Sequence, residues 1–463
     1  MIMNINLQKT AGRYVLLLAL GLGLAAGSSA FGQAPEAGLS LRAAAEEALK
    51  NNPGLAAAQS RERAAEKNIS MAESAYYPRV DFEEIFTNSN DPVYVFGTLL
   101  RQGEFSARHF DPNFLNNPSA RNNFNHRFSV QQLLYDGGKR ERQKSMAATG
   151  KEISSQRVRM TEQQVLFGVI QDFYRVVLAD AALKTAEESL AGIAAGLKRT
   201  RDRYEAGMAV KADVLRMEVQ KADFERLRMA AQNECRQARQ ALERDLGREP
   251  SGTIQVSGRM RESLPENSSE RDWLDLAEKQ RPDLQQASMA IQLAAEKLRS
   301  TRGAYLPTLG AMANYDFHNG TDAGFGNNYL VGVRLQWNLF DGGARSAAVR
   351  QAAEEKQAAE YERRQALQQT RLEISGAQDR RRVAQQQYRV AQQAAEAAEE
   401  GLRIMENRHA EGLATTTDLL SVQVSRHQAR LNILHALYQY TMEYAAMELA
   451  AGNISLQSPL FVG

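Results

Sequence analysis

The chain has 463 residues, 43% hydrophobic and 24% charged, with 11 prolines, one cysteine and a mean hydropathy of −0.48. A lone cysteine, Cys235, excludes an intrachain disulfide framework and a multi-cysteine zinc site, and the only long apolar run lies at the N-terminus, which excludes a polytopic helical membrane protein. Few prolines with abundant Ala, Gln, Glu, Arg and Leu favour long helices, and a formal net charge of +2 supplies no basic excess for nucleic acid.

Lys9 and Arg13 precede an apolar stretch from Val15 to Ala26, followed by Ser28-Ser29-Ala30. That order is the pattern of a secretory signal peptide, expected over residues 1–30 with cleavage after Ala30. The run falls short of the roughly 20 residues of a spanning helix, and no cysteine follows it to carry a lipid. Residues 1–30 contain no acid, so losing Lys9 and Arg13 brings the basic residues level with the 55 acidic ones.

Residues 40–77 read as a helix with Ser40 as N-cap, stopped at Tyr77-Pro78. Val80, Phe82 and Phe86 then share a strand face interrupted by Glu84, and Phe128, Val130 and Leu134 form a partner strand. Between them, residues 87–125 are rich in Asn and Pro around Val93-Tyr94-Val95-Phe96, and read as an enlarged loop or a receptor or plug element. From Gly138 to Gly207 no proline intervenes, which predicts a helix of roughly 100 Å, and Gly207 to Gly247 predicts a return of about 60 Å. Residues 248–272 are broken by Pro250, Gly252, Gly258 and Pro265, and Asp272 to Pro307 gives a further helix of about 50 Å.

After Pro307 the period becomes two. Leu309, Ala311, Ala313, Tyr315 and Phe317 alternate with mostly polar residues, and so do Tyr329, Val331, Val333, Leu335, Trp337 and Leu339. Two such strands within 308–340 fit a barrel wall, with a half-buried soluble hairpin as the alternative. A second long helix runs from Gly343 to Gly412 and a second return to Gly452, with Ala391, Ala394, Ala395 and Ala398 forming a seam for close helix approach.

Repeats organise all of this. Asn52-Pro53-Gly54-Leu55 is echoed by Arg281-Pro282-Asp283-Leu284 and Ala75-Tyr76-Tyr77-Pro78 by Ala304-Tyr305-Leu306-Pro307, at an offset of 229. Asp136-Gly137-Gly138 returns as Asp341-Gly342-Gly343 at an offset of 205, which Gly207 and Gly412, Asp213 and Asp418, and Gly247 and Gly452 also keep. The chain is one unit used twice, the first copy carrying 24 extra residues before its Asp-Gly-Gly. The units divide as 31–247 and 273–452, separated by 248–272 and followed by a tail 453–463. Length matching predicts that residues 273–307 continue the first return helix, leaving 40–77 to complete the second unit.

The duplicated strand-to-helix Asp-Gly-Gly, with the pattern Arg-x-x-x-Gly-x-x-x-x-x-Asp starting at Arg203 and at Arg408, resembles the TolC family of outer-membrane efflux proteins. The resemblance covers residues 40–452. It implies a mostly α fold with β: a trimeric twelve-stranded transmembrane barrel, four strands per protomer, continued by a long helical periplasmic tunnel. The implied role is exit duct of a tripartite efflux or secretion system in the outer membrane of a Gram-negative bacterium, with no enzymatic activity and no cofactor. Implied partners are two further copies in a homotrimer, a periplasmic adapter, an inner-membrane pump and outer-membrane lipid. Residues 248–272 and the tail match the family's equatorial domain. Gly207-Met208 and Gly412-Leu413 match the tips where the adapter docks, and Asp213 and Asp418 match acids at the periplasmic aperture. Each of these residues also has a purely structural reading, as a turn glycine or a helix-capping acid. Ala414 stands where the family's best-known gate has an arginine, and Ser421 where it has a second acid, so the closed state is either weaker or held by other groups such as Arg408 or Lys211.

The six histidines are scattered, without a metal-binding spacing. A periplasmic helical-hairpin adapter or coiled-coil scaffold is the competing class; the strands after Pro78 and Pro307 discriminate against it.

Overall fold

A computed structural model describes residues 38–265, 269–320 and 325–461; the expected leader 1–30 lies outside them. The first unit comprises α1 (Leu41–Asn51), α2 (Pro53–Ser74), β1 (Arg79–Ser89), α3 (Pro92–Arg101), α4 (Pro112–Asn116), β2 (Arg121–Tyr135), α5 (Lys139–Glu205) and α6 (Lys211–Asp245). The second repeats it without α3 and α4: α7 (Glu270–Gln280), α8 (Pro282–Arg302), β3 (Thr308–Asn319), β4 (Phe325–Gln336), α9 (Ala344–Ala410) and α10 (Thr416–Ala450). Matching helices have matching lengths: α5 and α9 have 67 residues each, α6 and α10 have 35. At that length α5 and α9 each rise about 100 Å.

The helix expected over 40–77 forms in two pieces. Ser40 caps α1, accepting from the Ala43 N–H (3.2 Å). Asn52 then leaves helical geometry (φ −65°, ψ 121°), and its side-chain oxygen caps α2 through the Gly54 and Leu55 N–H groups. Arg281 (φ −64°, ψ 119°) before Pro282 repeats the break. Proline removes a helical donor and forces its predecessor into extended backbone, so each Xaa-Pro ends one helix and starts another.

These breaks receive the ends of the returning helices. Gly247 (φ +74°) closes α6 so tightly against Asn51 that a Cβ would lie 2.6 Å from its carbonyl oxygen, and Asn52 Nδ2 donates to the Asp245 carbonyl (3.2 Å). Gly452 (φ +69°) sits likewise on Arg281, whose guanidinium donates to the Ala450 carbonyl (2.9 Å) and pairs with Asp283 and Glu373. One expectation is thereby corrected. Residues 40–77 complete the first unit, with α1 and α2 lying along α5, and α7 and α8 lie along α9 to complete the second. Connectivity is the reason: α2 and α5 leave one strand hairpin and α8 and α9 the other, so each pair starts as neighbours. Gly247→Val is expected to lower the midpoint of thermal unfolding, with about 1–2 kcal/mol lost to the left-handed backbone alone. Gly150→Ala, in an open stretch of α5, is expected to show no loss.

The strands form one antiparallel sheet in chain order. Its register aligns Val80, Val130, Ala313 and Val331 in one row and Phe82, Phe128, Tyr315 and Tyr329 in the next. This face is open: Val80, Val331 and Tyr329 are 65%, 75% and 76% exposed. The other face is polar, with Glu83, Arg127 and Asp316 in one row and Arg127 Nε 2.6 Å from Asp316. An apolar face left uncovered beside a polar one suits a barrel wall, not a soluble hairpin. Two strand limits differ from the sequence reading. β4 stops at Gln336 because β3 begins only at Thr308, and Trp337 instead donates its indole N–H to the Tyr305 carbonyl (3.0 Å). A bulge before Tyr135 takes Leu134 out of the ladder, so Tyr135 faces Leu309.

Residues 87–125 are more than a loop. Both strands extend into the segment, and the rest folds as α3, a 3₁₀ turn at Ala107–Phe110, and α4. Asp91 caps α3 through the Tyr94 N–H (2.7 Å) and Asp111 caps α4 through the Asn113 N–H (2.7 Å), each before a proline at the first helical turn. Phe105 joins these pieces, packing edge-on against Phe96 and Phe110.

Candidate functional site

At the end of the long helices away from the sheet, each turns on a glycine. Gly207 and Gly412 have φ of +74° and +77°. The Met208 N–H reaches back to the Arg203 carbonyl and the Leu413 N–H to that of Arg408, each at 2.8 Å, completing glycine C-caps. A Cβ on either glycine would meet nothing within 4 Å, so the backbone conformation alone demands glycine. Met208 and Leu413 stand at the apices, 65% and 63% exposed.

The two aspartates differ in their surroundings. Asp418 forms a capping box with Thr415, accepting from its hydroxyl (2.7 Å) and N–H (3.1 Å). The Thr415 hydroxyl and N–H, with Arg408 nearby, hold its carboxyl below the usual range. Asp213 has the same place in α6, but the N-cap there is Val210, which offers no side-chain bond, and Asp213 pairs with Arg216 (3.3 Å). Capping is thus a real role for Asp418 and not for Asp213. The tips also touch each other. Arg203 donates to the His409 carbonyl (3.1 Å) near the C-terminus of α9, and with Asp213, Arg216 and Thr416 it lines a cleft of about 340 Å³. Burial, then the charges of Arg203 and Arg199, keep the His409 imidazole below its ordinary range. Arg408, at the same motif position as Arg203, reaches only its own turn at the Leu413 carbonyl (3.5 Å). Lys211 lies over the Tyr204 ring (5.8 Å) at the first tip.

Asp136-Gly137-Gly138 and Asp341-Gly342-Gly343 lead into α5 and α9, all four glycines having positive φ. Asp136 accepts from the Gly138 and Arg140 N–H groups (3.1 and 2.8 Å), and Asp341 from those of Gly343 and Arg345 (3.2 and 3.1 Å). The motif extends two residues beyond the glycines. Arg140 donates to the Leu133 and Leu134 carbonyls (2.7 and 3.0 Å) and lies over Tyr76, while Arg345 donates to the Asn338 carbonyl (2.5 Å) and lies over Tyr305. Sequence reasoning missed this clamp, although the arginines keep the offset of 205 and the tyrosines that of 229.

It also missed Glu243 and Glu448, a further pair at offset 205, which are 3% and 1% exposed. Glu243 accepts from the Ser251 hydroxyl (2.7 Å) and from the N–H groups of Gly252, Thr253 and Ile254 (2.6, 3.1 and 3.1 Å). Burial opposes ionisation there, but these donors outweigh it and hold the carboxyl below its usual range. Glu448 has no such cradle. Among the described residues its Oε2 has no partner, and burial pushes the carboxyl up to about 7 against an opposing effect of the Ser458 hydroxyl. Around this level α1, Ile254, Leu264 and the tail residues Leu460 and Phe461 join α5, α6 and α10 in one apolar cluster.

The description "Outer membrane efflux protein" belongs to the family whose model matches residues 44–248 and 273–453. The outer membrane efflux protein BepC of Brucella suis is 24% identical over 89% of this chain and 86% of its own length. The proteases secretion protein PrtF of Dickeya chrysanthemi is 23% identical over 96% and 93%. Among solved structures, the Campylobacter jejuni CmeC outer membrane channel superposes with a TM-score of 0.74 at 17% identity, covering 91% of this chain and 87% of that one. With both repeats matched and the sheet and long helices in place, the chain belongs to the outer-membrane efflux protein family, as an outer-membrane exit duct reaching into the periplasm and not a periplasmic hairpin adapter.

Proposed function

We propose that three copies of this chain close one twelve-stranded barrel and one periplasmic tunnel, whose tips receive a periplasmic adapter coupled to an inner-membrane pump. The open sheet carries this reading. Among the described residues β1 and β4 each have an unpaired edge, which lipid does not tolerate, and pairing β4 of one copy with β1 of the next removes every edge. The helix pairs then stand side by side as a tube, with residues 248–272 and the tail at its waist. Met208 and Leu413 offer the adapter apolar contacts at the tips beside Gly207 and Gly412. Asp213 and Asp418, each present three times, form acid rings at the aperture that favour cations. With Ala414 and Ser421 in place of the family's gate residues, Arg408 beside Asp418 holds the resting state.

In planar bilayers, Asp418→Ala is expected to raise single-channel conductance. Asp418→Asn keeps an oxygen facing Thr415 but removes the charge, and is expected to lower cation selectivity. Unchanged conductance and selectivity in both variants would sink the aperture assignment. Trimers in detergent extracts of the outer membrane support the assembly; monomers refute it.

A further inference from the structure

The helix α3 belongs to the 24 residues by which the first unit exceeds the second, and it lies on the polar face of the sheet. Tyr94 bonds the Thr87 hydroxyl, and Gln102 Nε2 donates to the Asn122 carbonyl (2.9 Å) and Asn123 Oδ1 (3.1 Å). Arg121 donates to Gln102 Oε1 (2.6 Å) and pairs with Glu104. At Gly326 a Cβ would overlap the Arg101 carbonyl, so the end of α3 rests flat on that strand. Thr87, Asn123 and Gly326 all belong to the polar face by register. Asn123 and His318 on that face are only 3% and 4% exposed, while the apolar face beyond them stays open.

The contacts of α3 explain one side of the helix only. Val95, Leu99 and Gln102 are buried, Gln102 through its bonds to the sheet. On the opposite side Val93 and Leu100, seven residues apart and so on one helical face, are 81% and 51% exposed. The polar face of the sheet is the lumen face of the barrel, and these strand ends lie away from the periplasmic helices, at the outer mouth. An apolar stripe aimed into a water-filled lumen has one symmetric occupant, the same stripe on the other two copies. We infer that the α3 helices of three copies pack Val93 and Leu100 against one another across the pore axis and close the outer mouth from within. This rests on the trimer reading above. A helix with its side chains is about 10–12 Å across, so three of them seated on the wall leave little open section. The seat is not a loose flap: caps at Asp91 and Asp111 and the Gln102–Arg121–Glu104 cluster fix both ends of the segment.

Two measurements on the full chain test this. Val93→Cys and Leu100→Cys are each expected to give disulfide-linked protomer pairs under mild oxidation, against a low background because the native Cys235 is buried. The double variant Val93→Asp/Leu100→Asp leaves the seat intact, places repelling charges at the axis, and is expected to raise single-channel conductance about twofold or more. Intact trimers with no cross-link at either position and unchanged conductance overturn the inference. Monomers by sedimentation in detergent overturn the trimer reading and the inference with it, a result distinct from the first.

Discussion

Glu448→Gln is expected to raise the midpoint of thermal unfolding at pH 8 and to leave it unchanged at pH 4. The folded carboxyl ionises at about 7, against an ordinary value of 4.5, because it is buried with Oε2 unpartnered among the described residues. Below the ordinary value both folded and unfolded chains hold the proton, and the group is neutral in its effect. Between the two values the unfolded chain releases a proton that the folded one keeps, so stability falls as pH rises, by about 3 kcal/mol in all. Glutamine keeps the shape of the protonated acid and does not titrate, which removes that loss at pH 8. Equal destabilisation by glutamine at both pH values would show that the carboxylate has a partner and that burial is not the controlling effect.

Glu243→Ala is expected to act in the opposite direction and more strongly. Three backbone N–H groups and a hydroxyl would lose their acceptor at a position 3% exposed. The Ile254 N–H bond is buried and the other three are partly so, and an unsatisfied buried group costs about 1–3 kcal/mol. The expected signs are a lower unfolding midpoint at neutral pH and faster proteolysis between Arg248 and Arg261, where the segment loses its anchor. Because the folded carboxyl is held below its ordinary range, its contribution is present above that range and is lost as pH falls through the folded value. Two acids at equivalent places in the repeat thus limit stability from opposite sides, Glu243 as pH falls into acid and Glu448 as pH rises toward about 7.

The parts of the molecule written in local patterns were readable in the sequence. Uninterrupted helical composition gave α5 and α9 nearly to the residue, and period-two alternation gave the facing of Tyr329, Val331 and Val333. What escaped reading was decided by partners distant in the chain. Whether α6 is continued by residues 40–77 or 273–307 depends on which strands pair, and equal lengths do not reveal it. Glu243 and Glu448 look like surface residues of charged helices until the waist segment folds over them. Arg140 and Arg345 were legible as repeat partners, but their targets are backbone carbonyls that have no sequence signature. At the tips, Gly207 and Gly412 were readable from the turn geometry they permit, whereas the bond from Arg203 to the second tip joins residues about two hundred positions apart.

The outgoing and returning paths differ mechanically. α5 and α9 are single rods from sheet to tip, while each return consists of two helices that meet head to tail at Gly247 or Gly452. A sideways displacement of α6 or α10 at the tips therefore stops at a joint, and no continuous helix carries it to β1 or β3. The return path can bend at the Gly247 and Gly452 joints, while α5 and α9, unbroken over 67 residues each, carry any remaining displacement from the tips to β2 and β4.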